Sequence, residues 1–167
     1  IEIDQKFKIF KKNKIVVDLG SAPGGWSEYA VKKTGENNVL AIDILEMDNI
    51  NGVHFLQMDF MQDNAKQDII NNLSKIPYNK SSKCDVVMSD MAANTMGDKR
   101  TDHIRIINLV EDSLTLATKI LKKNGCFIAK IFQGGSSDEI FKNLKTNFNN
   151  VKYFKPRSSR KDSSETY

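Results

Sequence analysis

The sequence has 167 residues, of which 40% are hydrophobic and 28% charged, a composition typical of one globular domain. No apolar run approaches the roughly 18 residues that a membrane-spanning helix needs, which excludes a chain built of such helices. The 25 basic and 21 acidic side chains give a net charge of +4, which permits a polyanionic partner without identifying one. Cys84 and Cys126 stand far apart in apolar surroundings, so neither a disulfide framework nor a cysteine metal site is predicted.

Short β-branched strands alternate with amphipathic helices along the chain. In chain order the pattern predicts a strand over 15–19, a helix over 26–33, strands over 39–43 and 54–59, a helix over 64–76, a strand over 85–90, a helix over 104–121, a strand over 126–132, a helix over 139–148, a strand over 151–154 and a polar basic loop over 157–164. This alternation favours right-handed βαβ crossovers. We therefore predict an α/β fold with a Rossmann-like, doubly wound, mostly parallel sheet and helices on both faces, in a single domain over 1–167.

Acidic residues lie at or just after the ends of four predicted strands, at Asp18, Asp43, Asp59 and Asp90. A single acid in such a place is equally well explained as a helix N-cap or a solvated loop residue. Ligands of doubly wound sheets bind beyond the carboxyl ends of the strands. Four acids at four such ends therefore predict a ligand cleft.

The loop that joins the first strand to the first helix is rich in glycine, with Gly20, Gly24 and Gly25. Glycine allows a sharp turn and a close approach of a ligand to the backbone. The loop departs from a dinucleotide fingerprint, because Ala22 replaces the second glycine and Pro23 removes an N–H donor. Fewer donors suit an adenosine ligand without a pyrophosphate, and S-adenosylmethionine is the abundant candidate.

The other acids extend this interpretation. Asp43 is placed to accept hydrogen bonds from both ribose hydroxyls of such a ligand, and Asp59 to accept from the adenine amino group. Trp26, the only tryptophan, is at least as readily a core anchor as a ligand contact.

Four ordered motifs, over 16–27, 87–92, 129–134 and 155–167, resemble the RrmJ/FtsJ-type RNA 2′-O-ribose methyltransferases across essentially the whole chain. The resemblance implies a class I methyltransferase fold with S-adenosylmethionine as cofactor. Segments 89–92 and 59–60 look most like the branch that acts on a uridine in the A-loop of large-subunit ribosomal RNA. The resemblance also implies an RNA partner within a large ribosomal subunit and a bacterial cytosolic or organellar location. We further expect no membrane association and a monomer.

The family uses a Lys-Asp-Lys-Glu constellation, and by resemblance three members match Asp90, Lys130 and Glu165. Relatives carry the first lysine just before the position of Ile1 and continue past Tyr167, so we expect the chain to lack both natural ends. Lys130 would remove or polarise the proton of the ribose hydroxyl, and the two acids would orient its amine. Its apolar neighbours make it a poor edge-strand lysine. The reaction needs no metal, and none is predicted.

Basic groups that could contact RNA phosphates are Lys8, Lys11, Lys12 and Lys14, then Lys99 and Arg100, then Arg157, Arg160 and Lys161. Each group by itself is more often a solvated face. Three other functions stay open: a tRNA or mRNA-cap 2′-O-methyltransferase, a non-catalytic RNA-binding relative, and a nicotinamide-dependent dehydrogenase, which Ala22 and Pro23 disfavour.

Overall fold

Five parallel strands form the central sheet of the structure, a computed structural model that describes residues 1–91, 99–132, 137–159, 163 and 165–167. The strands are β1 (Val16–Leu19), β2 (Val39–Asp43), β3 (Val53–Gln57), β4 (Cys84–Ser89) and β5 (Leu121–Ala129), in the order β3-β2-β1-β4-β5. All four strand pairs are parallel. A short antiparallel pair, β6 (Ile131–Phe132) with β7 (Glu165–Thr166), continues beyond β5. The predicted doubly wound parallel sheet is confirmed.

Helices cover both faces of this sheet. The described helices are α1 (Glu2–Phe7), α2 (Gly25–Thr34), α3 (Ala65–Lys75), α4 (Lys99–Ile120) and α5 (Ser137–Asn147). On one face Ile69 of α3 and Leu116 of α4 pack in one cluster with Leu19 of β1. On the other face Ala30 of α2 packs with Val16 of β1. No described helix has both the length and the apolar character needed to cross a membrane.

Four elements differ from the sequence prediction. The predicted strand over 126–132 is divided into β5, which begins at Leu121, and β6, and strand β7 was not predicted. Helix α1 was not predicted, since its six residues are too few for a helical period to be recognised. The prediction of a strand over 151–154 is wrong, because these residues do not form one. Instead Phe154 exchanges two backbone hydrogen bonds with Tyr167, of 2.6 and 2.9 Å between nitrogen and oxygen. That exchange joins the segment before the basic loop to the residue that follows β7.

Candidate active site

The parallel sheet brings the predicted acids and Lys130 to one edge. Asp18 and Asp43 lie within the last two residues of β1 and β2, while Asp90 and Lys130 directly follow β4 and β5. Backbone hydrogen bonds continue past the strands, because the Lys130 N–H donates to the Ser89 carbonyl at 2.9 Å. The order of the strands in the sheet therefore places Asp90 between the cofactor loop and Lys130.

The glycine loop needs its glycines at two positions. Gly20 has φ +75°, and a Cβ there would lie 2.5 Å from Cγ of Met91 and 3.1 Å from the Met91 backbone. Gly24 has φ +110° and directly precedes α2. L side chains rarely adopt these backbone angles. At Gly25, the first residue of α2, a Cβ would meet no described heavy atom within 4 Å, so a ligand has room beside this turn.

Asp43 holds this loop through two backbone hydrogen bonds. Its Oδ2 accepts from the Ala22 N–H at 2.8 Å, and its Oδ1 accepts from the Leu45 N–H at 2.9 Å. Each carboxylate oxygen can accept a second hydrogen bond, so contact with ribose hydroxyls stays a prediction. The structure adds a role that the sequence did not reveal, which is to fix the backbone at Ala22.

Asp18 is fully buried on the face covered by α2. Its Oδ2 accepts a hydrogen bond of 2.6 Å from the Ser27 hydroxyl, whereas its Oδ1 has no partner among the described residues. Burial, together with the smaller effect of the charges of Asp90 and Asp43, raises the pKa of Asp18 to about 7 against the opposing effect of the Ser27 hydrogen bond. These charges act on Asp18 because the three carboxylates converge.

Two other residues of the predicted cofactor set are engaged locally. Asp59 lies two residues beyond β3, and its Oδ1 accepts from the Met61 N–H at 2.9 Å within its own turn. Trp26 packs against the α2-side core, and its ring centroid lies 5.5 Å from that of Tyr167. Trp26 is therefore a core anchor at the edge of the site, while the contact of Asp59 with adenine stays a prediction.

Lys130 and Asp90 form an ion pair in the site. The Lys130 side chain is 10% exposed, and its Nζ lies 2.9 Å from Asp90 Oδ1. The amine donates its hydrogen bond to the Asp90 backbone carbonyl at 3.1 Å, so Oδ1 is paired by charge rather than by an aligned hydrogen bond. One residue thus fixes the amine through both its side chain and its main chain.

Tyr167 is a member of this site to which the sequence assigned no role. Its hydroxyl lies beside the Asp90 side chain, and burial, then the charges of Asp90 and Glu165, raise the pKa of Tyr167 well above its ordinary value. Glu165 pairs in the β6–β7 ladder with Phe132, and Phe132 follows Lys130 by two residues. The only sequence signal for Tyr167 was its place at the end of the motif that contains Glu165.

A family model described as FtsJ-like methyltransferase matches residues 1–167. The chain belongs to this family. Two curated relatives, each named ribosomal RNA large subunit methyltransferase E, come from Rickettsia akari (48% identical over 173 residues) and Ehrlichia chaffeensis (49% over 170). The alignments cover all of this chain and 73% and 76% of those relatives.

Solved structures agree with the family assignment. A structure from Plasmodium falciparum described as a ribosomal RNA methyltransferase has a TM-score of 0.83 and 28% identity, and the match covers 99% of this chain and 89% of that one. An rRNA-methylase structure from Clostridium thermocellum, at 17% identity and a TM-score of 0.59, shares the fold. The resemblance seen in the motifs is confirmed.

This FtsJ-like protein is a methyltransferase with S-adenosylmethionine as its cofactor, and its site fits that group. Asp18 Oδ1 and the buried Ser21 hydroxyl, which lie in or beside the glycine loop, have no hydrogen-bond partner among the described residues. A buried carboxylate without a full set of donors suits a ligand that carries hydroxyls and a positive charge. The sequence predicts that the cofactor is held by Asp18, Gly20, Ala22, Gly24, Gly25, Trp26, Asp43, Asp59 and Asp90, and these contacts stay predictions.

Of the predicted RNA-contacting residues, Lys8, Lys11, Lys12 and Arg157 are exposed, whereas Lys14 is held in an ion pair. Lys14 lies at the opposite edge of the sheet, where its Nζ is 2.8 Å from Asp85 Oδ1 at the start of β4, so it stabilises the sheet there rather than facing the site. Arg157 is exposed in a turn on the chain's path to β7. The predictions that lie outside the described residues concern the Lys99 and Arg100 side chains and all of Arg160 and Lys161.

Proposed function

We propose that this protein transfers a methyl group to a ribose 2′-hydroxyl of large-subunit ribosomal RNA, at a uridine in the A-loop. The observation that carries the proposal is the buried Lys130 amine, held 2.9 Å from Asp90, which follows the strand next to β1. The names of the Rickettsia and Ehrlichia relatives support the RNA class. The motif containing Asp90 and the Asp59-Phe60 pair support the choice of nucleotide by resemblance.

Methyl transfer to a hydroxyl is an in-line displacement, so the acceptor oxygen must be held opposite the leaving sulfur. S-adenosylmethionine supplies a methyl group on a positively charged sulfur when it is bound. A protonated 2′-hydroxyl is a weak nucleophile, and a positioned base contributes roughly 10²–10⁴-fold. In the proposed reaction, the Lys130 amine removes or polarises the hydroxyl proton as the oxygen bonds to the methyl carbon and the bond from that carbon to sulfur breaks, which leaves S-adenosylhomocysteine as the other product.

The acidic side chains would orient this amine. Asp90 contacts Lys130 directly. Glu165 pairs across the β6–β7 ladder with Phe132, which follows Lys130 by two residues. Tyr167, whose hydroxyl lies beside Asp90, would help to hold that carboxylate in place. The protein would act where large ribosomal subunits mature, in the cytosol of a bacterium or within an organelle, and would work as a monomer.

The test is to incubate the protein with a labelled methyl donor and undermethylated large ribosomal subunits, and to map the modified nucleotide. We expect one 2′-O-methylated uridine in the A-loop. Label in tRNA or in capped mRNA, with none in ribosomal RNA, would overturn the proposed substrate. Cofactor binding without transfer to any RNA would favour a non-catalytic RNA-binding protein.

A further inference from the structure

The carboxylate of Glu2, in α1, accepts hydrogen bonds from two consecutive backbone N–H groups far along the chain. Its Oε2 lies 2.7 Å from the Arg157 nitrogen, and its Oε1 lies 2.9 Å from the Ser158 nitrogen. A hydrogen bond from the Ser158 side chain and these two backbone bonds lower the pKa of Glu2, so the carboxylate is ionised at neutral pH. Each oxygen serves one donor, an arrangement that a neutral amide cannot reproduce.

Other contacts hold the same two segments together. The rings of Phe7 and Phe154 meet edge to face, with centroids 5.7 Å apart. The Lys6 Nζ lies 4.7 Å from the centroid of the Phe154 ring. The Lys155 Nζ donates to the Ser163 carbonyl at 2.8 Å, which closes the basic loop at its base. Helix α1 therefore docks on the segment that leads into this loop.

The segment that carries the turn held by Glu2 is hydrogen-bonded to a residue of the candidate active site. The Ser159 N–H donates to the Pro156 carbonyl at 3.2 Å, which makes 156–159 a turn, and the Arg157 side chain on it is exposed. Just before this turn, Phe154 exchanges two backbone hydrogen bonds with Tyr167, whose hydroxyl lies beside Asp90. A change in the direction of this turn would move a cationic side chain relative to the acceptor site.

We propose that Glu2 is a positioning residue for RNA: by fixing the amides of Arg157 and Ser158, it aims the Arg157 guanidinium at a phosphate of the bound RNA. The inference rests on the proposed function for the presence of RNA at this site. Arg157 is the residue that contacts the phosphate, and Glu2 acts only through it. A phosphate contact positions an RNA without reading its sequence.

The test compares Glu2→Gln and Arg157→Gln with the matched control Glu28→Gln, which makes the same charge change on α2, where Glu28 pairs with Lys32. The Michaelis constant for RNA, kcat, and cofactor affinity by calorimetry are measured over a range of salt. Both test variants should weaken RNA recognition about tenfold and lower the slope of log affinity against log salt by about one, the value for one lost phosphate contact. The control should keep the wild-type slope, and cofactor affinity should not change.

The double variant separates positioning from simple destabilisation. Because Glu2 acts through Arg157, adding Glu2→Gln to Arg157→Gln should cost little more, whereas independent effects would add. Amide proton exchange at positions 157 and 158 should speed up in Glu2→Gln alone among the single variants. Faster amide exchange with an unchanged Michaelis constant for RNA would overturn the inference. Additive losses of RNA recognition in the double variant would overturn it as well.

Failure of the proposed function would look different. If the wild-type protein methylates another RNA, the substrate proposal falls, and the same comparison of variants is made with that RNA.

Discussion

The amine of Lys130 is held by both the side chain and the backbone carbonyl of one residue, Asp90, at 2.9 and 3.1 Å. The ion pair fixes the nitrogen without using Oδ1 in an aligned hydrogen bond. The Tyr167 hydroxyl lies beside the same carboxylate. The position of the proposed base is therefore determined by its neighbours and not by its own flexible side chain.

Replacing Lys130 with alanine should remove methyl transfer while leaving cofactor binding intact. We expect the rate to fall by at least about 10²-fold, because the hydroxyl loses its positioned base. Single-turnover transfer to RNA and calorimetry with S-adenosylmethionine measure the two effects separately. Lys122→Ala is the matched control, since it loses an ion pair of 3.0 Å with Asp85 at the other edge of the sheet. A Lys130→Ala protein that still transfers at the control's rate would exclude Lys130 as the base.

Alanine at Gly20 should destabilise the cofactor loop, whereas alanine at Gly25 should leave the stability of the protein unchanged. A Cβ at Gly20 would sit 2.5 Å from Met91 Cγ at φ +75°, and the left-handed backbone alone costs roughly 1–2 kcal/mol for an L residue. At Gly25 the Cβ would meet no described atom within 4 Å, and alanine favours a helix. Thermal unfolding would show a lower Tm for Gly20→Ala only, whereas calorimetry should show weaker cofactor binding for both variants, since a Cβ at Gly25 enters the space predicted for the cofactor. Equal losses of Tm in both variants would contradict this view of the turn.

Asp18 should make the ligand-free protein less stable as the pH rises. Its pKa is raised from 3.8 to about 7 in the folded state, so between these values the folded protein holds a proton that the unfolded chain has lost. Stability therefore falls with increasing pH across this window, and above about 7 the loss is complete. In Asp18→Asn, which keeps an acceptor for Ser27, this decrease of the free energy of unfolding with rising pH should vanish. Urea unfolding between pH 4 and pH 8 tests this expectation, with the exposed Asp68→Asn as a control that keeps the slope.

Asp85 should show the opposite dependence at the other edge of the sheet. Burial would raise its pKa, but hydrogen bonds from Lys14, the Ile15 N–H and Lys122 outweigh it and lower the pKa below the usual range. The resulting stability is present above the ordinary value of 3.8 and is lost as the pH falls through the lowered value.

Removal of this carboxylate gives the corresponding test. Asp85→Ala should cost about 1–3 kcal/mol at pH 7, since the Ile15 N–H loses its side-chain acceptor. Urea unfolding should show that the difference between the free energies of unfolding of the variant and the wild type becomes smaller when the pH falls below the ordinary pKa of a carboxyl group. A constant difference down to pH 2 would mean that charge contributes nothing there.

Part of the site follows from local patterns. The acids at the ends of β1, β2 and β4 could be predicted because β-branched runs mark the strands, and the carboxyl ends of parallel strands share an edge. The cofactor class followed from the departures of Ala22 and Pro23 from a dinucleotide loop. Lys130 was recognisable because a lysine within an apolar strand conflicts with its surroundings.

Other features could not be predicted because they depend on contacts between distant segments. Whether Asp43 binds Ala22 as well as a ligand depends on where the loop lies over β2. Lys14 looked like the other lysines before β1, but the β1–β4 pairing brings it to Asp85.

The sequence by itself determined the alternation of strands and helices, the acids at the strand ends and the family, because these depend on residue types at short spacing. Only the tertiary structure decided which side chains meet. The strand order placed Lys130 beside Asp90, the antiparallel β6–β7 pair returned the chain with Tyr167 to the same carboxylate, and the docking of α1 brought Glu2 to the turn at Arg157. The physical reason is that hydrogen bonds and ion pairs require a few ångströms of separation, and chain crossovers and strand register set those distances.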